Sequence, residues 1–221
     1  MARRRLPIAS VHADWLRLIE TSGPFLSLPV LVETLGHGLD AVETDAKRRL
    51  RDAYEEWTVD STDGHDEWLG IVVSELLEHE ARYVSSFGEW KDVPKALRHH
   101  VDERAEMLWP QLVIHESGEP GEKSSRLLVC IHPRAQKLEK GVAGSRWAAS
   151  PQSRMAELCR ATGVRLGLVT NGEQWCLVDV PRDETVGYAT WYAQLWLDEP
   201  NTFAAFRSLL GSHRFFAVGQ D

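Results

Sequence analysis

Residues 149–180 read Ala-Ser-Pro-Gln-Ser-Arg-Met-Ala-Glu-Leu-Cys-Arg-Ala-Thr-Gly-Val-Arg-Leu-Gly-Leu-Val-Thr-Asn-Gly-Glu-Gln-Trp-Cys-Leu-Val-Asp-Val, and their punctuation decides the fold. Ser150 is a good N-cap, because its hydroxyl can accept from an orphan backbone N–H of the first helical turn. Pro151 then stands at the first helical position, where a missing donor is harmless. Met155, Leu158, Cys159 and Thr162 recur at helical spacing as one narrow apolar stripe. Gly163 ends the helix, since glycine tolerates the left-handed conformation of a C-terminal cap. Val164 to Val169 reads as a short strand and Gln174 to Val180 as a returning one. Between them Thr170-Asn171-Gly172-Glu173 makes a tight turn, with positive φ open to both central residues. On the second strand Trp175, Leu177 and Asp179 fall on one face and Cys176, Val178 and Val180 on the other.

Working outward, Gln111 to Glu116 is a strand, Ser117 to Ser125 a polar hairpin loop, and Arg126 to His132 an almost continuous apolar run. Such a run fits a central strand buried on both faces. Lys137 to Trp147 reads as a mobile, partly basic loop leading into the Ser150 helix. Beyond Pro181, Tyr188 to Leu197 is a further strand, and Asn201 caps a last helix that stops at Gly211.

Before Trp109-Pro110 the pattern is helical throughout. Short helices are expected over 11–20 and behind Ser27, and a longer amphipathic one over Asp40–Thr58. A strong helix follows over Asp66–Ser85, with a stripe of Trp68, Leu69, Val72, Val73, Leu76 and Leu77. Shorter helical stretches start at Pro94 and run from Val101 to Trp109. The expected architecture is α+β or α/β: a helical portion, 1–109, then a mixed β-sheet portion with flanking helices, 110–221, the two forming separate domains or one composite module.

With 221 residues, 43% hydrophobic and 26% charged, the chain has the composition of an ordinary globular protein. No apolar run approaches the roughly 20 residues of a membrane span. Met-Ala-Arg-Arg-Arg-Leu-Pro has a basic start but no apolar core behind it, which argues against export. Cys130, Cys159 and Cys176 lack metal-like spacing and read as buried, reduced thiols of a cytoplasmic protein. The net charge of −8 opposes bulk attraction to nucleic acid, so any phosphate contact needs local basic density. Candidates are Arg3 to Arg5, Lys47-Arg48-Arg49 with Arg51, and Arg134 with Lys137 and Lys140. Most of the nine tryptophans are expected in the core.

The Ser-Pro-x-x-Arg-Met helix followed by Gly-Leu-Val-Thr-Asn-Gly-x-x-Trp-x-Leu-Val resembles the N-terminal region of large restriction-modification methylases. These are the fused type IIG restriction enzymes and the DNA methylases of phage-defence islands, DISARM and BREX among them. The resemblance is specific over the quoted stretch and extends loosely from Ser-Gly-Pro-Phe-Leu-Ser at 22–27 to Arg-Phe-Phe at 214–216. It implies a PD-(D/E)xK nuclease-like fold, and a longer parent that uses S-adenosylmethionine to methylate adenine in DNA.

Such a nuclease needs carboxylates on adjacent strands to hold Mg²⁺, and a lysine one residue beyond the second acid. The resemblance puts these groups on the strand, hairpin and strand before the Ser-Pro helix. There this chain offers Pro110-Gln111 in place of Pro-Asp, and Cys130, Ile131, His132 and Pro133 in place of the (D/E)-x-K triplet. The nuclease site reads as lost. His79-Glu80-Ala81-Arg82-Tyr83 starts like a His-Glu-x-x-His zinc motif but lacks the second histidine. His115 and His132 across the hairpin, with Glu116, make a weak metal alternative to plain edge histidines. The acidic-x-x-x-Gly-x-Gly turn and Asn-Pro-Pro-Tyr motif of a methyltransferase are not in this sequence.

The leading expectation is therefore a non-catalytic domain of a phage-defence DNA methylase. It would contact the backbone of double-stranded DNA, with Lys137, Lys140, Arg154 and Arg160 facing the nucleic acid, or partner subunits of the complex. A solvated helix face is the competing reading of Arg154 and Arg160. Two alternatives stay open. One is an active Mg²⁺ nuclease with migrated carboxylates at Glu78, Glu116 and Glu122; the other is a protein-interaction module that uses the Trp191, Tyr192 and Trp196 strand as an edge.

Overall fold

Apolar residues at helical spacing make helices in the first part of this chain, and short segments between them are drawn into a sheet. The computed structural model describes residues 7–59, 64–116, 120–121 and 124–216. Helix α1 (Ile8–Leu16) buries His12 and Trp15, strand β1 (Glu20–Ser22) follows, and α2 (Leu28–Thr34) starts behind Ser27. α3 (Thr44–Val59) buries Leu50, Ala53 and Trp57, and α4 (Gly64–Gly70) runs into a π-helical turn at Ile71–Leu76. Three short strands come next, β2 (Val84–Ser86), β3 (His99–Val101) and β4 (Glu106–Leu108). Then follow β5 (Leu112–His115), β6 (Ser125–Ile131), α5 (Pro151–Thr162), β7 (Leu166–Thr170), β8 (Gln174–Asp179) and β9 (Gly187–Tyr192). α6 (Ala193–Asp198), α7 (Pro200–Leu210) and α8 (Ser212–Phe215) complete the described chain.

The class is mixed α and β. Seven strands form one sheet in the order β1-β9-β8-β7-β6-β5-β2, while β3 and β4 pair as a separate hairpin. Neighbours are antiparallel except β6 and β7, whose parallel pairing requires the α5 crossover. Both edges, β1 and β2, come from residues before 110, so the sheet draws strands from both portions of the chain. No helix among the described residues is long and apolar enough to cross a membrane.

Strand alternation sorts the side chains into two cores. Leu127, Val129, Leu168, Trp175, Leu177 and Trp191 face the layer of α1, α3, α4, α6 and α7. Leu128, Val169, Cys176 and Val178 face α5 and the β3–β4 hairpin. The first core is aromatic: Trp57 stacks on Trp68 at 5.8 Å, Trp175 meets Trp196 at 5.8 Å, and Trp196 meets Phe206 at 4.8 Å.

Four expectations are corrected. The first half is not all helical, because β1 to β4 lie in it. The Asp66–Ser85 helix ends early: the wide π turn lets Ile71, Val72, Val73, Leu76 and Leu77 all be buried, more than one α-helical stripe could manage. The chain then reverses through Glu78, at φ 59. Val101–Trp109, rich in helix formers, is instead a hairpin turning through Ala105 at φ 50, pulled flat by burial of Leu108. The Tyr188–Leu197 strand stops at Tyr192, where α6 begins, which buries Trp196 in a helix rather than offering it on an edge.

Met155 is 1% exposed and lies directly over Gly167, where an added Cβ would sit 2.3 Å from its Cγ. Met155→Ala is expected to lower urea-unfolding stability by about 2–4 kcal/mol through the cavity it leaves. Adding Gly167→Ala should recover part of that loss, because the new methyl enters the same space; a purely additive double mutant would refute the coupling.

Candidate nucleic-acid interface

The turn between β7 and β8 organises the loop beside it. Thr170 Oγ1 accepts from Gly172 N at 2.9 Å, and Asn171 Oδ1 accepts from the backbone of Glu173 at 3.1 Å and Gln174 at 2.7 Å. Positive φ was open to both central residues, but Gly172 alone takes it, at 87°; the Asn171 side chain closes the turn instead. The Gly172 carbonyl accepts two indole N–H groups, from Trp68 at 2.8 Å and Trp175 at 2.9 Å.

Asn171 Nδ2 also donates to Gln136 O at 2.8 Å, which begins a strap along residues 132–149. His132 N donates to Thr170 O at 2.8 Å. Gln136 Nε2 reaches the carbonyls of Lys137, Lys140 and Gly141 at 2.7, 3.2 and 3.3 Å, while its Oε1 accepts from Ala143 N at 3.1 Å. Leu138 is fully buried, and its N–H donates to Gln174 Oε1 at 3.2 Å. The segment read as mobile is thus tied into a fixed shape. Gln136 does most of this work, and no sequence signal marked it.

Arg154 was expected to face nucleic acid, and the structure turns it inward. It is 7% exposed, with its guanidinium 4.9 Å from the Trp147 ring centroid. Its Nε donates to Ala149 O at 3.0 Å, Nη2 to Ser145 Oγ and Trp147 O at 2.7 Å each, and Nη1 to Glu106. It clamps the end of the strapped loop onto α5 and β4. Arg160 is exposed beside Glu157 at 3.7 Å. It lies about 12 Å along the α5 axis from Gln152, at the far end from the loop.

Lys137 and Lys140 share the loop and are exposed. They, Arg134 and Arg146 have no ion-pair partner among the described residues, whereas Arg48, Arg49, Arg51, Arg82, Arg126, Arg154, Arg160, Arg165 and Arg207 all do. Arg134 stands over the Trp57 ring at 4.3 Å and donates to Trp57 O at 3.4 Å. Arg134, Lys137, Glu139, Glu173 and Tyr192 all line a cavity of about 430 Å³. Tyr54 donates to Glu173 at 2.8 Å, and burial together with that bond raises its pKa. The Tyr192 hydroxyl is pushed up to about 12 by burial and by its bond to Glu20.

The carboxylates of the nuclease alternative are engaged elsewhere. Glu78 pairs with Arg207 and Glu116 with Arg126, and Glu122 lies outside the described residues, as do Arg3 to Arg5. His115 and His132 do not face each other. His115 pairs with Ser125 at the start of β6, whereas His132 follows its end. His115 is buried, at 3% exposure, on the inner strand β5 and meets Ser85 Oγ at 2.8 Å, so it is not the edge histidine that was expected. No group of three or more His, Cys, Asp or Glu among the described residues could hold a metal ion. At the other expected metal positions, Gln111 Oε1 accepts from Ile131 N at 2.8 Å and Cys130 Sγ donates to Trp109 O at 3.4 Å. Burial pushes the Cys130 thiol up to about 12 and Cys176 up to about 11, so neither is a nucleophile near neutral pH.

No family model, curated protein or solved structure matches this chain.

Two outcomes test this geometry. Gly172→Ala puts an L residue at φ 87 and a Cβ 2.6 Å from Trp57 Cζ2. It should lose about 2–4 kcal/mol in urea melts and lose protection of the 136–143 amides in hydrogen exchange. His132 is lowered to about 4, first by burial and then by the Arg154 charge. The unfolded chain therefore takes up this proton first. The His132 contribution to stability should hold above about pH 6.5, fall as the pH drops toward 4, and change no further below that. Tm of His132→Gln should fall less across that window than Tm of the parent; His65 and His79, also lowered by burial, leave a residual slope.

Proposed function

We propose that this chain is a non-catalytic, degenerate PD-(D/E)xK nuclease-like domain of a phage-defence adenine DNA methyltransferase, and that it contacts the DNA backbone through the 132–149 loop. One observation carries the reading. In a protein of net charge −8, Lys137 and Lys140 stand exposed and unpaired on a loop that Gln136 and Asn171 hold rigid. A fixed loop loses little conformational entropy on binding, and each unpaired cation can release a counterion from a phosphate.

The degenerate part of the reading rests on residue chemistry. The hairpin β5–β6 followed by α5 matches the order of parts that the resemblance implies. Within it, Gln111, Cys130 and His132 stand where carboxylates and lysine would be required, and Gln111 and Cys130 are tied up in internal hydrogen bonds. None of these three carries a negative charge to hold Mg²⁺. S-adenosylmethionine would belong to the parent's methyltransferase core, and further subunits of a defence complex would meet this domain on surfaces away from the loop.

The test is fluorescence anisotropy of labelled duplex DNA with the 221-residue chain across a salt series. Lys137→Glu with Lys140→Glu should weaken binding by roughly an order of magnitude and flatten the log–log salt slope by about two. Unchanged affinity at every salt sinks the DNA role. Cutting that requires Mg²⁺ or Mn²⁺ and disappears in Glu116→Ala replaces it with an active nuclease.

A further inference from the structure

Of the nine tryptophans, Trp90 is the one that stands out as exposed among the described residues, at 39%, while six others are 0–2% exposed. The loop that carries it is not slack. Val93 and Leu97 anchor it in the core at 2% and 0% exposure. Phe87 N donates to Gln111 O at 2.9 Å, and Asp92 N to Glu89 O at 3.1 Å. Arg98 Nη1 donates to the carbonyls of Trp90 at 2.7 Å and Lys91 at 3.4 Å. This bond fixes the guanidinium 5.0 Å from the Trp90 ring centroid, and the Lys91 ammonium lies 5.9 Å from it. Lys91, Lys95 and Arg98 have no ion-pair partner among the described residues.

We propose that Trp90, with Lys91 and Arg98, is a stacking platform for an unpaired nucleotide of a single-stranded nucleic acid. The charges select the guest. A cationic guest such as a methylated ammonium would be repelled by the two cations already held against the indole. A neutral apolar guest would leave Lys91, Lys95 and Arg98 unmatched. A nucleotide supplies both missing parts, a flat π face for the indole and a phosphate for the cations. Glu89 and Asp92 lie in the same loop and keep its net charge modest, so stacking carries more of the binding here than on the 132–149 loop. The platform shares no residue with that loop and does not rest on the duplex reading.

Anisotropy of a labelled thymidine oligonucleotide titrated with the full chain decides it. Trp90→Ala should weaken single-strand binding about tenfold or more and leave duplex affinity as it was. Trp90→Tyr, which keeps a π face, should restore most of the loss. The oligonucleotide should also quench the acrylamide-accessible part of the tryptophan emission, and Trp90→Ala should abolish that quench. Unchanged single-strand affinity in a Trp90→Ala protein with native circular dichroism overturns the platform. So does binding of an acidic aromatic peptide with no binding of the oligonucleotide, which would make Trp90 a protein contact.

Discussion

The Gly172 carbonyl is the point on which the two halves of this fold depend. A carbonyl oxygen has two lone pairs, and here both face indole N–H groups, one from Trp68 in the helical layer and one from Trp175 in the sheet. Each indole buries a large apolar area and needs an acceptor for its one polar atom. One backbone oxygen meets both needs where helix and sheet converge. The position must be glycine twice over, since φ is 87° and Trp57 Cζ2 stands 2.6 Å from where a Cβ would be. With the turn fixed, Asn171 can point its amide at Gln136, and the loop beyond is positioned by the same event.

The cations differ in how far folding uses them. Arg154 is enclosed by Glu106, Ser145 and two carbonyls, and Arg165 grips the buried Asp179 at 2.6 and 2.9 Å. Such groups gain nothing from a phosphate, because binding one would require giving up partners already inside the fold. Among the described cations without an ion pair, Lys91, Lys95 and Arg98 fall in 91–98 and Arg134, Lys137, Lys140 and Arg146 in 134–146, while Arg17, Lys47, Arg104, Arg182 and Arg214 are scattered. Each stretch is held by a side chain that donates to local carbonyls, Arg98 in one and Gln136 in the other. Net charge measures neither group. What matters to a polyanion is how many cations remain free and how firmly the backbone presents them.

Local chemistry was legible in the sequence, and long-range chemistry was not. The Ser150 cap accepts from Ser153 N, Gly163 adopts φ 73, and the two faces of β8 sort as alternation dictates. Each of these depends on residues a few positions apart. β1 has no apolar residue, and its three exposed residues are a strand because β9 offers them a ladder. Arg154 looked like a solvent-facing helix residue because its ion-pair partner, Glu106, is 48 positions away. Gln136 was silent for the same reason, since a polar residue in a polar loop has no pattern until the loop folds around it.

The quoted motif itself carries less functional information than its distinctiveness suggests. Ser150 caps, Pro151 starts the helix, Arg154 clamps the loop end, Met155 covers Gly167, Asn171 closes the turn, and Gly172 joins two tryptophans. Every one of these side chains or backbone groups is consumed by folding. A motif so consumed specifies a scaffold, and a scaffold is compatible with a working metal site or with none. Activity has to be argued from groups left over once folding is satisfied. Among the described residues, Lys137 and Lys140 on the strapped loop and the exposed Trp90 ring are such groups, and they lie outside the motif. Exposed carboxylates such as Glu89 and Asp92 stand among these groups too, so the proposal of a nucleic-acid contact rests on where the cations are held and not on their number.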